Sequence, residues 1–266
     1  MALFGLSQLN LELSSYCDKN TLCFMCGHQD PKIFPFLKFG HMNFDLLCCV
    51  VDQLPKGIIV SLHRDGDPLV YPKLHEALVK LRNFIVSIVT HGEALGKRAH
   101  EIIGCATTVT VSVISKDPDR ELQLAAIKQF LVAKGDQPPQ LQLKFVGEIT
   151  NEQEYIDLGV PIINRVLHVK PGNYRYIKRD PIVPEVRVCL DFLSHPTVDW
   201  QGRLFVCNRL DAEDKGLLGD LKEHSLDDLW NSPKRLEWLE AHKRGRRDQA
   251  SPLCKDCLFY GVPTAP

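Results

Sequence analysis

The chain has 266 residues, 44% of them hydrophobic, which is enough for one large domain or for a large and a small one. Its 32 Lys and Arg nearly balance its 33 Asp and Glu, and a formal net charge of −1 argues against bulk nucleic-acid binding. The longest apolar stretch, residues 46–51, is too short to span a membrane, and the N-terminus lacks the basic start of a secretory signal. We therefore expect a soluble, cytoplasmic protein whose ten cysteines are metal ligands or free thiols rather than disulfides.

Strand and helix patterns alternate through the first two thirds of the chain. Apolar, β-branched runs predict six strands at residues 9–13, 57–62, 84–90, 107–113, 141–146 and 165–169. Amphipathic patterns predict helices near residues 43–54, 73–81, 95–103, 119–134 and 151–158. Regular alternation implies parallel strands with right-handed crossovers. The sequence therefore predicts an α/β fold, an open, partial (β/α)6 barrel of the TIM type, over residues 1–170.

The pattern changes after the sixth predicted strand. Prolines and a glycine punctuate residues 171–185, which we interpret as a linker. Beyond it, residues 196–207 predict a β-hairpin, and Ser225 is expected to cap a helix that breaks or kinks at Pro233. Residues 186–266 are thus expected to form a small α+β domain.

Seven cysteines form two sets with different numbers of ligands. Three of them follow the first strand, and four lie in the last third of the chain: Cys17, Cys23, Cys26, and Cys189, Cys207, Cys254, Cys257. Three thiolates leave one iron of a [4Fe–4S] cube open to a reactant, whereas four close the cube, so that it carries electrons or holds structure. Because C-x2-C is also a zinc-ligand spacing, a zinc site is the alternative for either set.

The first set resembles the cluster loop of the radical S-adenosylmethionine (radical SAM) superfamily. The spacing is Cys17-x5-Cys23-x2-Cys26, two residues longer in the first gap than the usual C-x3-C-x2-C of that family. Met25 stands where an aromatic residue commonly precedes the third cysteine, and the resemblance implies that Phe24 packs against the adenine instead. The family resemblance implies one [4Fe–4S] cluster here that binds S-adenosylmethionine (SAM).

The segment after the second strand resembles the Gly-Gly-Glu-Pro segment with which this family holds the amino group of SAM. Here Asp65 replaces a glycine, Gly66 is kept, and Asp67 replaces the glutamate before Pro68. Backbone carbonyls and a carboxylate suit an ammonium group, and glycine permits close approach. By the same analogy, Ser112 at the end of the fourth strand would reach the ribose of SAM.

The last third of the chain resembles the twitch module, a shortened relative of the SPASM domain that follows many radical SAM barrels. The spacing Cys189-x17-Cys207-x46-Cys254-x2-Cys257 carries this resemblance, together with the predicted hairpin and helix. It implies a second, auxiliary [4Fe–4S] cluster held by those four cysteines.

The resemblance also implies a reaction. Reductive cleavage of SAM gives a 5′-deoxyadenosyl radical, which removes a hydrogen atom from a small polar substrate, and the auxiliary cluster accepts an electron. We expect an alcohol of an aminocyclitol- or sugar-like metabolite to become a ketone, with a flavodoxin- or ferredoxin-like protein as external one-electron donor. The alternatives are an epimerase, an isomerase, a peptide- or nucleotide-modifying enzyme, and a zinc-binding interaction module.

Four side chains are weak candidates for the catalytic groups of such a reaction. His63, His91 and His168 lie near predicted strand ends, and imidazole titrates near neutrality, as a base requires. Cys105, before the fourth strand, is a candidate hydrogen-atom donor for an epimerase. The basic residues 243–247 are interpreted as a solvated helix end rather than a nucleic-acid site.

Overall fold

Parallel strands and helices alternate in the N-terminal part of the computed structural model, which describes residues 3, 5–19, 23, 26–29, 34–165, 189–209, 211–255 and 257. The strands are β1 (Gln8–Leu11), β2 (Ile59–Leu62), β3 (Ile85–Thr90), β4 (Thr108–Ile114), β5 (Gln140–Val146) and β6 (Ile162–Arg165). The helices between them are α1 (Phe44–Val51), α2 (Leu74–Lys80), α3 (Ala99–Ile102), α4 (Arg120–Lys134) and α5 (Gln153–Ile156). One helix therefore lies in each crossover between consecutive parallel strands.

The C-terminal part extends the same sheet. Its elements are α6 (Leu190–Ser194), β7 (Thr197–Val198), β8 (Arg203–Phe205), β9 (Leu217–Asp220), α7 (Leu226–Trp230), α8 (Pro233–Lys243) and α9 (Pro252–Lys255). Strand β7 pairs in parallel with β1, and β8 and β9 follow as antiparallel neighbours. The nine strands run in the order β6-β5-β4-β3-β2-β1-β7-β8-β9, so β1 lies beside the C-terminal hairpin.

The parallel strands are buried on both faces, which explains their nearly continuous apolar sequences. Leu9 and Leu11 of β1, Val60 and Leu62 of β2, and Ile88 of β3 have no exposed surface. Because these strands are parallel, their carboxyl ends meet at one edge of the sheet, where ligands of such folds bind. We call this edge the carboxyl edge.

The structure confirms the α/β class and the six-fold β/α order, and five predicted strands agree with the observed ones within a few residues. The sixth was placed too late, since β6 ends at Arg165, where the predicted strand begins. Pairing with β5 sets the position of β6 in the chain. Leu143 donates its backbone N–H to Pro161 O at 2.8 Å, and Ile162 is the pairing partner of Leu143. Residues 166–169 and the predicted linker at 171–185 lie outside the described residues, and the domain boundaries stay a prediction.

The predicted C-terminal elements also form. Ser225 and Asp228 make a capping box at the start of α7. Pro233 occupies the first turn of a new helix that Ser232 caps, so the helix breaks rather than kinks there. Among the described helices, none has the length and apolar character that a membrane crossing requires.

Candidate functional site

The three cysteines of the first set follow β1, where they are partly buried and free of disulfides. Cys26 donates its backbone N–H to Cys23 O at 2.8 Å, and its sulfur accepts the backbone N–H of His28 at 3.4 Å. Burial, assisted by the charge of Cys26, raises the pKa of the Cys23 thiol to about 12. A thiolate at such a position needs a compensating positive charge, as metal coordination provides. Phe24 and Met25, the predicted adenine contacts, lie outside the described residues.

A buried lysine ties this loop to the carboxyl edge. Lys19 Nζ lies 2.6 Å from Glu93 Oε1 and 2.7 Å from Asp117 Oδ1, and its side chain is only 1% exposed. Asp119 Oδ2 lies further away, at 3.5 Å. Burial by itself lowers the pKa of Lys19, but the hydrogen bonds that Lys19 donates to Asp117 and Glu93 outweigh it and raise the pKa. The acidic groups come from the segments after β3 and β4, so the lysine joins the cysteine loop to two strand ends.

His91 makes a second connection between the cysteine loop and the sheet. Its Nε2 lies 3.0 Å from Asp18 Oδ1 and 3.4 Å from Asp67 Oδ2. Burial by itself lowers the pKa of His91, but the hydrogen bonds with Asp18 and Cys17 and the charge of Asp67 raise it to about 11. These contacts join His91 to the cysteine loop, and its role as a catalytic base stays a prediction.

Gly66 lies directly against the chain that leads to Cys17. A Cβ atom at Gly66 would lie 2.3 Å from Ser14 O and 2.5 Å from Tyr16 O, distances that no side chain tolerates. The next residue, Asp67, donates its backbone N–H to Tyr16 O at 2.8 Å. The close packing of Gly66 and this hydrogen bond hold the segment after β2 against the chain that leads to the cysteine loop.

The carboxylate of Asp67 is occupied by bonds within the protein. Oδ1 accepts the backbone N–H of Leu69 at 2.8 Å, and Oδ2 accepts the Thr90 hydroxyl at 2.6 Å and the His91 backbone N–H at 2.8 Å. These bonds join the ends of β2 and β3. That Asp67 also contacts SAM stays a prediction.

A cavity of about 520 Å³ lies at the carboxyl edge, beside the cysteine loop. Glu12 follows β1, Arg64 and Asp65 follow β2, and Asp199 and Trp200 follow β7. We call it the edge cavity. It lies where the parallel strands meet the C-terminal hairpin, so both parts of the chain line it.

Glu12 is a deeply buried acid of the edge cavity, with only 3% of its surface exposed. Oε1 accepts the backbone N–H of Asp65 at 3.2 Å, and Oε2 accepts that of Trp200 at 3.3 Å. Burial, and next the charge of Asp65, raise the pKa of Glu12 to about 7, although Arg64 opposes the rise. Sequence reasoning missed this residue, and the only signal was one acidic side chain inside an apolar run.

The edge cavity carries more acidic than basic side chains. Arg203 Nε and Nη1 lie 2.8 Å from Asp199 Oδ2 and 2.7 Å from Asp214 Oδ2, and Arg64 Nη1 lies 3.6 Å from Asp199 Oδ2. The charged lining residues are six acids and three bases: Glu12, Asp65, Asp199, Asp211, Glu213, Asp214, and Lys38, Arg64, Arg203. A cavity with this balance attracts a cation more readily than an anion.

The remaining candidate residues are scattered. Ser112 lies within β4 and His63 directly after β2, but neither lines the edge cavity. Cys105 precedes β4 and donates its backbone N–H to Ile102 O, which places it at the opposite edge of the parallel sheet. Cys105 therefore does not line the edge cavity, because the start and end of a strand lie at opposite edges of the sheet, and its role as a hydrogen-atom donor stays a prediction. His168 lies outside the described residues.

The second cysteine set lines a narrow pocket between α6, β8, α8 and α9. All four cysteines border it, together with His242: Cys189, Cys207, Cys254 and Cys257. Burial raises the pKa of Cys207 to about 12 and also raises those of Cys189 and Cys254. Within the described part of the chain, neither ring nitrogen of the buried His242 has a hydrogen-bond partner. Four thiols that form no disulfide and an unpartnered polar ring in one pocket fit an iron–sulfur cluster.

The described residues do not form a single-ion site. No three His, Cys, Asp or Glu side chains among them lie close enough together to hold one metal ion. A tetrahedral zinc ion would hold its sulfur ligands about 2.3 Å from itself. Zinc and an iron–sulfur cluster differ in metal content, so metal analysis of the purified protein distinguishes them.

Comparison with protein families identifies the C-terminal part. Residues 189–258 match the SPASM iron–sulfur cluster-binding domain, and the match contains all four cysteines of the second set. No curated protein matches the sequence.

Solved structures resemble the whole chain in fold. BtrN in complex with AdoMet and 2-DOIA is 18% identical, with a TM-score of 0.64 over 97% of this chain and 95% of that one. BtrN in an open conformation has a TM-score of 0.52 at 18% identity, covering 95% and 92%. SuiB of Streptococcus suis, bound to S-adenosylmethionine, is 13% identical, with a TM-score of 0.51 over 90% and 68%. The chain thus has the fold of BtrN and SuiB, and its residues 189–258 match the SPASM iron–sulfur cluster-binding domain.

Proposed function

We propose that this protein is a radical SAM oxidoreductase that dehydrogenates an alcohol of a small, polar, amine-bearing metabolite such as an aminocyclitol or amino sugar. The observation that carries the proposal is the edge cavity, which lies between the three-cysteine loop and the SPASM hairpin. BtrN, whose fold this chain shares, was solved with AdoMet and 2-DOIA bound.

Two cofactor sites are part of this proposal. Cys17, Cys23 and Cys26 would hold the cluster that binds SAM, and the four cysteines of the SPASM domain would hold the auxiliary one. When bound, these groups supply one-electron chemistry: removal of a hydrogen atom from a substrate carbon and acceptance of the remaining electron. A flavodoxin- or ferredoxin-like protein would provide the initial electron.

The protein's own residues would bind and orient the substrate. The excess of carboxylates in the edge cavity favours a substrate ammonium group, and the Arg203–Asp199 and Arg203–Asp214 ion pairs would hold the hairpin side of the cavity rigid. Positioning matters most in such a reaction, because the hydrogen to be removed must lie within contact distance of the attacking carbon.

Glu12 is our candidate for the group that takes the hydroxyl proton. It lines the edge cavity, and each carboxylate oxygen keeps a lone pair after accepting one backbone N–H. A pKa of about 7 is close to the optimum for a general base at neutral pH. His91, by contrast, does not line the edge cavity and lies 3.0 Å from Asp18 Oδ1.

An anaerobic assay with dithionite and SAM tests the proposal. Incubation with aminocyclitols should release 5′-deoxyadenosine and lower the substrate mass by two units, whereas the deaminated cyclitols should react at least tenfold more slowly. A product of unchanged mass would indicate an epimerase or isomerase, and a modified peptide would indicate the activity class suggested by the structure of SuiB bound to its precursor peptide SuiA.

Iron content separates the two cluster sites. The reconstituted protein should hold about eight irons per chain, and Cys17→Ala and Cys254→Ala should each hold about four. Cys49→Ala, which changes an exposed cysteine of α1, is the control and should keep about eight. A colourless protein that binds zinc would overturn the proposal.

A further inference from the structure

The pocket of the SPASM cysteines is bordered by a buried histidine. His242 lies on α8 and is 2% exposed, and neither Nδ1 nor Nε2 has a partner among the residues that the structure describes. One face of its ring packs against Phe192, with centroids 4.3 Å apart. A buried polar group without a partner is destabilising, so such groups are rare without a function.

The pocket that the His242 ring borders contains candidate hydrogen-bond acceptors for it. The same pocket is lined by the four cysteines, whose sulfurs and cluster would accept hydrogen bonds. Burial, and next the charge of Arg247, lower the pKa of His242 to about 4. The ring carries an N–H donor whether neutral or protonated, so donation does not depend on its charge.

Arg247 adds a positive charge to the same pocket. The basic segment 243–247 was expected to be a solvated helix end, but Arg247 is only 4% exposed and lines the pocket. Its charge opposes the rise in pKa that burial and neighbouring thiols cause at Cys254. Its guanidinium therefore acts electrostatically on the cysteine set rather than on solvent.

We propose that His242 donates a hydrogen bond to the auxiliary cluster or to one of its cysteine sulfurs and thereby raises the reduction potential of that cluster. Reduction adds negative charge, which a donor stabilises more strongly than it stabilises the oxidised cluster. In the proposed function, which this inference assumes, a higher potential favours electron transfer from the substrate to the cluster. His242 is a positioning and tuning residue and does not touch the substrate.

Potentiometric titration followed by electron paramagnetic resonance tests this proposal. The full-length protein with Cys17, Cys23 and Cys26 changed to alanine isolates the signal of the auxiliary cluster. His242→Phe should shift the reduction equilibrium at least tenfold toward the oxidised form, about 59 mV in potential for one electron. His242→Gln, which keeps an N–H donor, should have a potential close to that of the parent protein. His224→Phe, at an exposed position, should not change the potential. Equal potentials for His242→Phe and the parent, or for His242→Phe and His242→Gln, would overturn it.

A second measurement keeps His242 unchanged, so it does not depend on whether a variant at position 242 still binds the cluster. Pulsed electron paramagnetic resonance on protein with 15N-labelled histidine should detect a weakly coupled histidine nitrogen and an exchangeable proton near the reduced cluster. A strongly coupled nitrogen would make His242 a ligand, and no coupling would make it a spectator, so either result refutes the proposal. A SPASM domain that binds no cluster at all would refute the proposed function as well.

Discussion

The carboxylate of Glu12 accepts the backbone N–H of Trp200 at 3.3 Å, across a sequence separation of 188 residues. One side chain at the end of β1 is thus bonded to the turn of the SPASM hairpin. The same carboxylate also accepts the N–H of Asp65 after β2. Glu12 therefore connects the segments after β1, β2 and β7, which line the edge cavity. Its protonation affects both the stability of the fold and the proposed reaction.

The pH dependence of stability should reveal Glu12. Burial raises its pKa from an ordinary 4.5 to about 7, so between these values the folded state holds more protons than the unfolded state. Its contribution to stability is full below about pH 4.5 and is lost as the pH rises through about 7. The pKa shift corresponds to a fall of about 3 kcal/mol in the free energy of unfolding as the pH rises. Glu12→Gln should abolish this fall, which urea denaturation between pH 5 and 8 measures.

Activity provides a second measurement for the same variant. Because a glutamine cannot accept the proton, Glu12→Gln should lower kcat about 100-fold or more at pH 8 while SAM still binds. Wild-type kcat should rise with pH through about 7. Glu213→Gln, a change at an exposed position of the edge cavity, is the matched control. Full activity of Glu12→Gln would eliminate Glu12 as the base.

Lys19→Met should destabilise the cysteine loop. The substitution leaves Glu93 and Asp117 buried without their cation, and loss of one partner from a buried ion pair costs about 3–5 kcal/mol. We expect a fall of about 3 kcal/mol in the free energy of unfolding and a faster loss of iron from the first cluster on exposure to air.

Lys80→Met is the matched control for Lys19. Lys80 Nζ lies 2.6 Å from Asp52 Oδ1, as close as Lys19 lies to Glu93, but the side chain of Asp52 is 68% exposed. Surface pairs contribute little, so this variant should be indistinguishable from wild type. Equal effects of the two substitutions would show that burial does not strengthen the Lys19 contacts.

The sequence was sufficient to predict which residues meet at the carboxyl edge. The period of the apolar runs identified parallel strands, and parallel strands place Cys17, Asp65 and His91 at one edge because each follows a strand. The cysteine spacing identified the SPASM domain, since ligand geometry constrains spacing strongly.

What could not be predicted was contact between distant segments. Nothing local indicates that Glu12 meets Trp200, that Lys19 is surrounded by carboxylates, or that His242 faces four cysteines. The Glu12–Trp200 contact depends on β7 pairing with β1, a long-range choice that strand patterns alone do not encode.

Gly66→Ala should disrupt the contact between the segment after β2 and the cysteine loop. The added methyl group meets backbone oxygens of Ser14 and Tyr16, which cannot move aside as a flexible side chain would. We expect a loss of about 2 kcal/mol or more in the free energy of unfolding and weaker SAM binding by calorimetry. Gly57→Ala, where the methyl group meets no atom within 4 Å but φ is +84°, measures backbone strain alone and should cost about 1 kcal/mol. Equal losses for both variants would deny any special role to the Gly66 contact.

Asp67→Asn separates a structural role from a ligand role at the position that resembles the family glutamate. The amide places an N–H₂ group where a carboxylate oxygen accepts bonds from Thr90 and His91, so one buried donor loses its acceptor, at about 1–3 kcal/mol. If Asp67 only holds the ends of β2 and β3 together, stability should fall while the affinity for SAM, measured by calorimetry on the folded, reconstituted protein, changes less than threefold. If the carboxylate also binds the SAM ammonium group, affinity should fall at least tenfold, because a charged acceptor is lost. Asp52→Asn, which changes an exposed carboxylate, should alter neither quantity.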